Sequence, residues 1–289
     1  MRRALTLAAV VAAGGLTLAL AALQAPIASP SPAALDATNI EKVKENLYLI
    51  TGSSPTPRET FSGGNTGVFI TDRGVVVVDT KLANWGPTIL ERIRTVTNQP
   101  IVTVINTPSH GDHTGSNEFV GAAVESVVHE NTKANMARMD AFKDDKAQFL
   151  PKRTYADKLT PDAGKNQIDL HHFGAGHTNG DTFVVYTALR TMQASGMIPW
   201  KDAPFIDRSN GGSGGESRAR YGRSARNIAV IPITRELVWG SPPARNAGTV
   251  YFVPYASSMW PMRACANALP KRFVAIFCAF GTSGPGQDI

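Results

Sequence analysis

Apolar and polar positions alternate in short, regular blocks through the first two thirds of the chain. Val43–Thr51 (VKENLYLIT) alternates as a half-buried strand does. Asn65–Thr71 (NTGVFIT) and Val75–Asp79 (VVVVD) are apolar runs joined by a turn at Asp72–Gly74, the pattern of a hairpin. Trp85–Thr97 carries Ile89, Ile93 and Val96 at helical spacing behind Gly86–Pro87. Ile101–Asn106 (IVTVIN) and Glu125–His129 read as further strands. A helix is expected over Asn131–Phe142, capped by Asn131 or Thr132. After a polar stretch to Gly164 come the apolar segment Gln167–Phe173, the loop Gly174–Gly180 and the strand Asp181–Tyr186. Strands that are apolar throughout, alternating with helices, predict a layered α/β architecture.

The pattern breaks near Ser209. Ser209–Ser217 (SNGGSGGES) is Gly/Ser-rich, and beyond it Arg, Pro and Gly dominate without a long amphipathic period. The net charge is +6, and residues 216–289 hold nine basic side chains against three acidic ones, so the excess belongs to this region alone. Such an abrupt change after Gly212 is what a shift of reading frame produces. A nucleic-acid surface would interleave basic and aromatic residues. The Arg cluster over 218–226 holds only Tyr221, so no nucleic-acid partner is expected.

The 289 residues, 43% of them hydrophobic, suffice for one large domain or two small ones. At the other end, Arg2 and Arg3 precede the apolar run Ala4–Leu23, followed by Ala25 and the Pro/Ser-rich stretch Pro26–Pro32. This is the form of an export signal, expected over residues 1–25, with a linker over 26–40. Export to the periplasm or medium is the expectation, and an uncleaved membrane anchor the alternative. Cys265 and Cys278 stand in no metal-binding spacing.

Two loops carry candidate chemistry. Ser109-His110-Gly111-Asp112-His113 follows a strand and concentrates two imidazoles and a carboxylate, donors suited to zinc. Gly176-His177-Thr178-Asn179-Gly180-Asp181 leads into another strand. His129, His171 and His172 are read as strand residues rather than ligands.

Three ordered blocks, NTGVFITDRGVVVVDT (residues 65–80), INTPSHGDHTGSN (105–117) and GAGHTNGDTFVVY (174–186), resemble the metallo-β-lactamase superfamily. The resemblance runs from residue 41 to 212. It implies an αββα sandwich with up to two zinc ions between the sheets, activating a water against a carbonyl or ester of a small-molecule substrate. On the H-x-H-x-D-H motif, His110, Asp112 and His113 match, with Asp112 the implied catalytic carboxylate. His177 matches the later loop histidine, and Asp79 a strand-end acid that supports the ligands. Three positions depart. The motif's first histidine falls on Pro108, a later ligand carboxylate falls on Ser195–Gly196, and no histidine follows His177. Each metal then keeps two protein ligands, which implies an impaired hydrolase. A non-catalytic relative and a basic-tailed interaction protein stay open as alternatives.

Overall fold

The computed structural model describes residues 29–52, 58–162, 164–197, 205–214, 236–238 and 274–276. The expected signal, the two cysteines and most of the basic C-terminal region lie outside the described residues. Among the described residues no helix is long and apolar enough to cross a membrane.

Two sheets form the body. The first has the order β1 (Ile40–Lys42), β2 (Leu47–Ile50), β3 (Thr66–Thr71), β4 (Gly74–Val78), β5 (Ile101–Ile105), β6 (Glu125–His129) and β7 (Arg153–Tyr155). Strands β1 to β4 pair antiparallel, and β4 to β7 run parallel. The second sheet contains β8 (Lys158–Asp162), β9 (Ile168–His171), β10 (Phe183–Tyr186) and β11 (Thr191–Gln193), in the order β8-β9-β10-β11. It continues into β13 (Val274–Ile276) and β12 (Glu236–Val238), both parallel to their neighbours.

The unbroken valine run of β4 follows from burial on both faces. Val76 and Val78 pack with Leu47, Leu49, Phe69 and Ile105 against Ile168, Leu170, Val184 and Tyr186 of the second sheet. Val75 and Val77 point the other way, into a layer with Trp85, Ile89 and Ile93. Those last two belong to α2 (Gly86–Arg94), whose i, i+4 spacing puts both on the buried face. Helix, sheet and sheet are thus stacked as the sandwich requires.

Several local expectations are revised. Residues 43–51 are not one strand. The Val43 and Lys44 amides both reach the Leu47 carbonyl, at 2.9 and 3.1 Å, folding the segment into the β1–β2 hairpin. Within the stretch expected as a linker, Pro32–Ala37 forms helix α1, capped by Ser31, with Ala34 buried in the core. The helix expected over 131–142 is α5 (Glu130–Met136), and its cap is His129, whose ring accepts from the Asn131 amide at 3.2 Å. Two short helices, α3 (Gly111–Thr114) and α4 (Asn117–Val120), follow β5.

His129 carries a pH prediction. Its ring stacks on His172 with centroids 3.7 Å apart, and burial together with His172 pushes it down to about 4. Above pH 6.5 the imidazole is neutral folded or unfolded and contributes nothing. Below that, only the unfolded chain takes up the proton. Stability is therefore lost as the pH falls from about 6.5 to 4, by at most ~3 kcal/mol, and the loss then levels off. Asparagine also caps helices, so His129→Asn retains the cap. Urea unfolding at pH 7 and 4.5 should show a smaller acid loss in the variant. An equal loss would place the source elsewhere.

Candidate functional site

The site lies at the carboxyl ends of β4 and β5, where loops of both sheets meet. Polar, Gly-rich segments collect there because the strands leave the core at this edge, and ligand sites favour it. Asp79 directly follows β4 in the left-handed region, at φ 65°. Its fully buried carboxylate accepts from the Thr107 amide (2.8 Å) and hydroxyl (2.6 Å) and contacts His113 Nδ1 at 2.8 Å. Asp79 thereby fixes both the start of the 107–113 loop and the ring of His113.

Helix α3 carries Asp112 and His113 inward. His113 Nε2 stands 3.5 Å from Asp112 Oδ2, a buried oxygen to which no side chain or backbone group among the described residues donates a hydrogen bond. The 62–64 loop closes over this pair. Gly64 donates its amide to the Asp112 carbonyl (2.9 Å) and offers its own carbonyl to the buried Lys81 ammonium (2.9 Å). Lys81 also reaches the Thr51 carbonyl at 3.0 Å, so it ties the 51–52 and 62–64 segments together.

A Cβ on Gly64 would meet the His113 ring at 2.8 Å, whereas one on Gly111 would meet nothing within 4 Å. Gly64→Ala is expected to cost about 1–3 kcal/mol by forcing the ring aside. Gly111→Ala, in the same loop cluster, should stay within about 0.5 kcal/mol of the parent. Thermal unfolding of the two variants makes the comparison; equal effects would mean the ring gives way freely.

His177 enters from the β9–β10 loop and is wholly buried. Burial, with His110 beside it, pushes its imidazole down to about 3. The loop is shaped by Asp181, whose carboxylate accepts from the Thr178 amide and hydroxyl and which burial pushes up to about 7. His177 Nε2 faces His110 Nδ1 at 2.7 Å, and its Nδ1 donates to the Phe205 carbonyl at 2.7 Å.

One residue of the site is absent from the sequence reading. Asp207 contacts His110 Nε2 through Oδ2 at 2.6 Å. Partial burial alone would raise this carboxyl, but hydrogen bonds from His110, Ser209 and Asn210 outweigh it and hold it far below the usual carboxylate range. Its only sequence signal is the Asp-x-Ser-Asn turn pattern of 207–210, which links it to its own loop and not to His110.

The structure therefore brings His110 to His177 and Asp112 to His113, with Asp79 behind the second pair. His129 and His172 stack on each other, and neither they nor His171 joins those pairs in any contact described. Imidazoles and a buried carboxylate suit a zinc ion in kind. They do not suit it in number: among the described residues no three His, Cys, Asp or Glu side chains converge to hold one ion. Two nitrogens on one zinc stand roughly 3.3 Å apart, given bonds of about 2.0–2.1 Å in tetrahedral geometry. The 2.7 Å between His110 and His177 would have to open accordingly. Pro108, buried beside Thr107, offers no donor. Gly196 offers none either, although it sits at the site's margin: the neighbouring Met197 Sδ accepts the His177 amide at 2.9 Å.

Residues 60–191 match the model of the Metallo-beta-lactamase superfamily. No curated protein matches the chain by sequence. Among solved structures, the chain is similar to TMB-1, with 16% identity over 80% of this chain and 96% of that one, at a TM-score of 0.55. It is also similar to the metallo-beta-lactamase from Pontibacter korlensis, with 21% identity over 68% and 86% and a TM-score of 0.52. For DIM-1 metallo-beta-lactamase the values are 21%, 67% and 83%, with a TM-score of 0.51. At these identities the likeness concerns the fold, and the match over 60–191 spans the loops that hold Asp79, His110, Asp112, His113 and His177. Over residues 60–191 the chain thus matches the metallo-β-lactamase superfamily, and the two-sheet sandwich around that region is the fold it shares with these solved structures.

Proposed function

We propose that this chain is an impaired zinc-dependent hydrolase of small-molecule carbonyl or ester substrates, β-lactam-like compounds among them. One observation carries the reading: four donors converge as two pairs, His110 with His177 and Asp112 with His113, where three or four donors per ion are the rule. His110 and His177 would hold one ion, Asp112 and His113 the other. When bound, zinc supplies a Lewis acid for the substrate oxygen and lowers the pKa of a water. The chain's own part is to orient the donors, through Asp79 behind His113 and Asp207 behind His110. The second reading, a relative that keeps the fold without turnover, is favoured by the same donor count.

Export as a periplasmic or secreted protein is part of the proposal, supported by the Arg2–Leu23 pattern. A mature N-terminus near residue 26 in the expressed protein would bear it out, and retention of residues 1–25 would speak for an anchor.

The test is metal stoichiometry on the full chain. After dialysis against zinc and then buffer, elemental analysis is expected to give well under one zinc per chain. Turnover of a chromogenic β-lactam should rise with added zinc. Two retained zinc ions per chain would overturn the impairment. No zinc-dependent turnover at any zinc concentration, across β-lactam, thioester, lactone and phosphoester probes, would leave the non-catalytic reading.

A further inference from the structure

Two large apolar side chains stand open to solvent among the described residues, Phe119 at 41% and Phe205 at 56%. A single exposed phenylalanine is ordinary on a protein surface, so its position has to decide what it does. Phe119 lies over α2: a Cβ on Gly86 would meet its ring at 2.0 Å, so it covers the first turn of that helix. Phe205 lies at the candidate site instead. Its ring stands edge-on to His177, with centroids 6.1 Å apart at 67°, within the range of an aromatic pair. The His110 ring is in turn 4.5 Å from that of His177.

The backbone beneath the phenyl is fixed. The Phe205 carbonyl accepts from His177 Nδ1 at 2.7 Å. The Asp207 amide donates to the His177 carbonyl at 2.9 Å, and the Asn179 amide to the Asn210 carbonyl at 3.0 Å. The Ser213 amide donates to the Gly176 carbonyl at 2.9 Å, so the segment 205–214 is pinned along the 176–179 loop. A Cβ on Gly212 would already meet the His177 carbonyl at 2.3 Å. With the backbone held, two side-chain torsions are all that remain to be ordered. An aromatic ring so placed offers apolar contact area at small entropic cost. Around it the polar groups are nearly closed off: His177 is wholly buried, and the side chains of His110 and Asp207 keep 16% and 10% of their surface. A compound that reaches His110 from solvent therefore has a largely open phenyl ring beside it, one ring away.

We propose that Phe205 is a specificity-determining residue, an aromatic rim that receives the apolar substituent of the substrate. The site then prefers small carbonyl or ester compounds that carry an aryl or arylmethyl group near the scissile bond. The proposal rests on the functional reading above for the reacting end of the compound, whereas the aryl contact itself needs neither metal nor turnover. Because the ring is open on most of its surface, the preference it can give is about tenfold.

The test compares benzylpenicillin with its N-acetyl analogue, which share the bicyclic β-lactam and its carboxylate and differ in the phenyl ring. Binding to the full chain is measured by ligand-observed NMR in the presence of a chelator, which keeps hydrolysis out of the measurement. The parent is expected to bind the phenylacetyl compound about tenfold more tightly than the acetyl one. In Phe205→Ala the difference should vanish, and in Phe205→Trp it should persist. Both variants keep the backbone carbonyl that holds His177.

A parent without the preference, including one that binds neither compound, overturns the proposal, and this result does not depend on any variant folding. A preference that survives unchanged in Phe205→Ala overturns it as well, since another group then receives the ring. If the preference is as stated but neither compound is turned over at any zinc concentration, the aryl rim stands and the hydrolase reading fails instead. Zinc-dependent turnover with equal kcat/KM for the two compounds would keep the hydrolase and overturn the rim.

Discussion

Pro108→His is expected to tighten zinc binding by at least ~30-fold, about 2 kcal/mol, because it turns a two-donor position into a three-donor one. The backbone before residue 108 is already held: Thr107 is pinned to Asp79 through amide and hydroxyl, at 2.8 and 2.6 Å. Proline contributes no donor there and restricts Thr107 to extended conformations. Titration against a chromogenic chelator measures the gain. Pro108→Ala is the control, since it relaxes the backbone without adding a donor, and it should leave affinity unchanged. Equal gains in both variants would mean that backbone freedom was limiting. No gain with histidine would mean that His110 and His177 do not serve one ion. Gly196→Asp is the matching change for the other pair. The ground for that change is the family's ligand pattern, which places a carboxylate at Ser195–Gly196. In the double variant the retained zinc should approach two ions per chain.

Asp79→Ala is expected to be the most destabilising single change at the site, by about 3–5 kcal/mol in urea unfolding, as is usual when one partner of a buried charged network is removed. Asp79 is wholly buried. Its loss strips acceptors from the Thr107 amide, the Thr107 hydroxyl and His113 Nδ1 at once. It also leaves alanine at φ 65°, where an L residue is strained and Asp is better tolerated. Asp79→Asn should lose less, since an amide oxygen still accepts from the Thr107 amide, although its NH₂ then faces both the Thr107 hydroxyl and His113 Nδ1. A loss below about 1 kcal/mol for Asp79→Ala would show that water replaces the carboxylate, contrary to its burial. This change tests the architecture of the site independently of any metal.

Both predictions depend on a division that runs through the molecule. Local pattern alone determined the central elements. The valines of β4 and the apolar run of β5 need no context, because strands buried on both faces are written as unbroken apolar runs. Helix α2 is likewise legible, since Ile89 and Ile93 repeat at helical spacing. The polar Gly-rich loop holding His110, Asp112 and His113 stands out against those runs, as does the loop of His177. That Pro108 and Gly196 carry no donor side chain is a matter of residue identity, which folding does not alter.

Other features took shape only in three dimensions. The three-residue strands β7 and β11 are too short to show a period, and pairing across the sheet makes them strands. His129 serves as a helix cap although the sequence pattern favours Asn131, because the strand ends where its ring can reach the Asn131 amide. The contact of Asp207 with His110 spans 97 positions, and that of His177 with His110 spans 67. No local pattern encodes such separations, since each partner is chosen by where sheet and loop packing leave it. Which group stands behind each ring, the Asp207 carboxylate at His110 and the Phe205 carbonyl at His177, is likewise a matter of packing. That was decided when the 205–214 segment came to rest against the 176–179 loop.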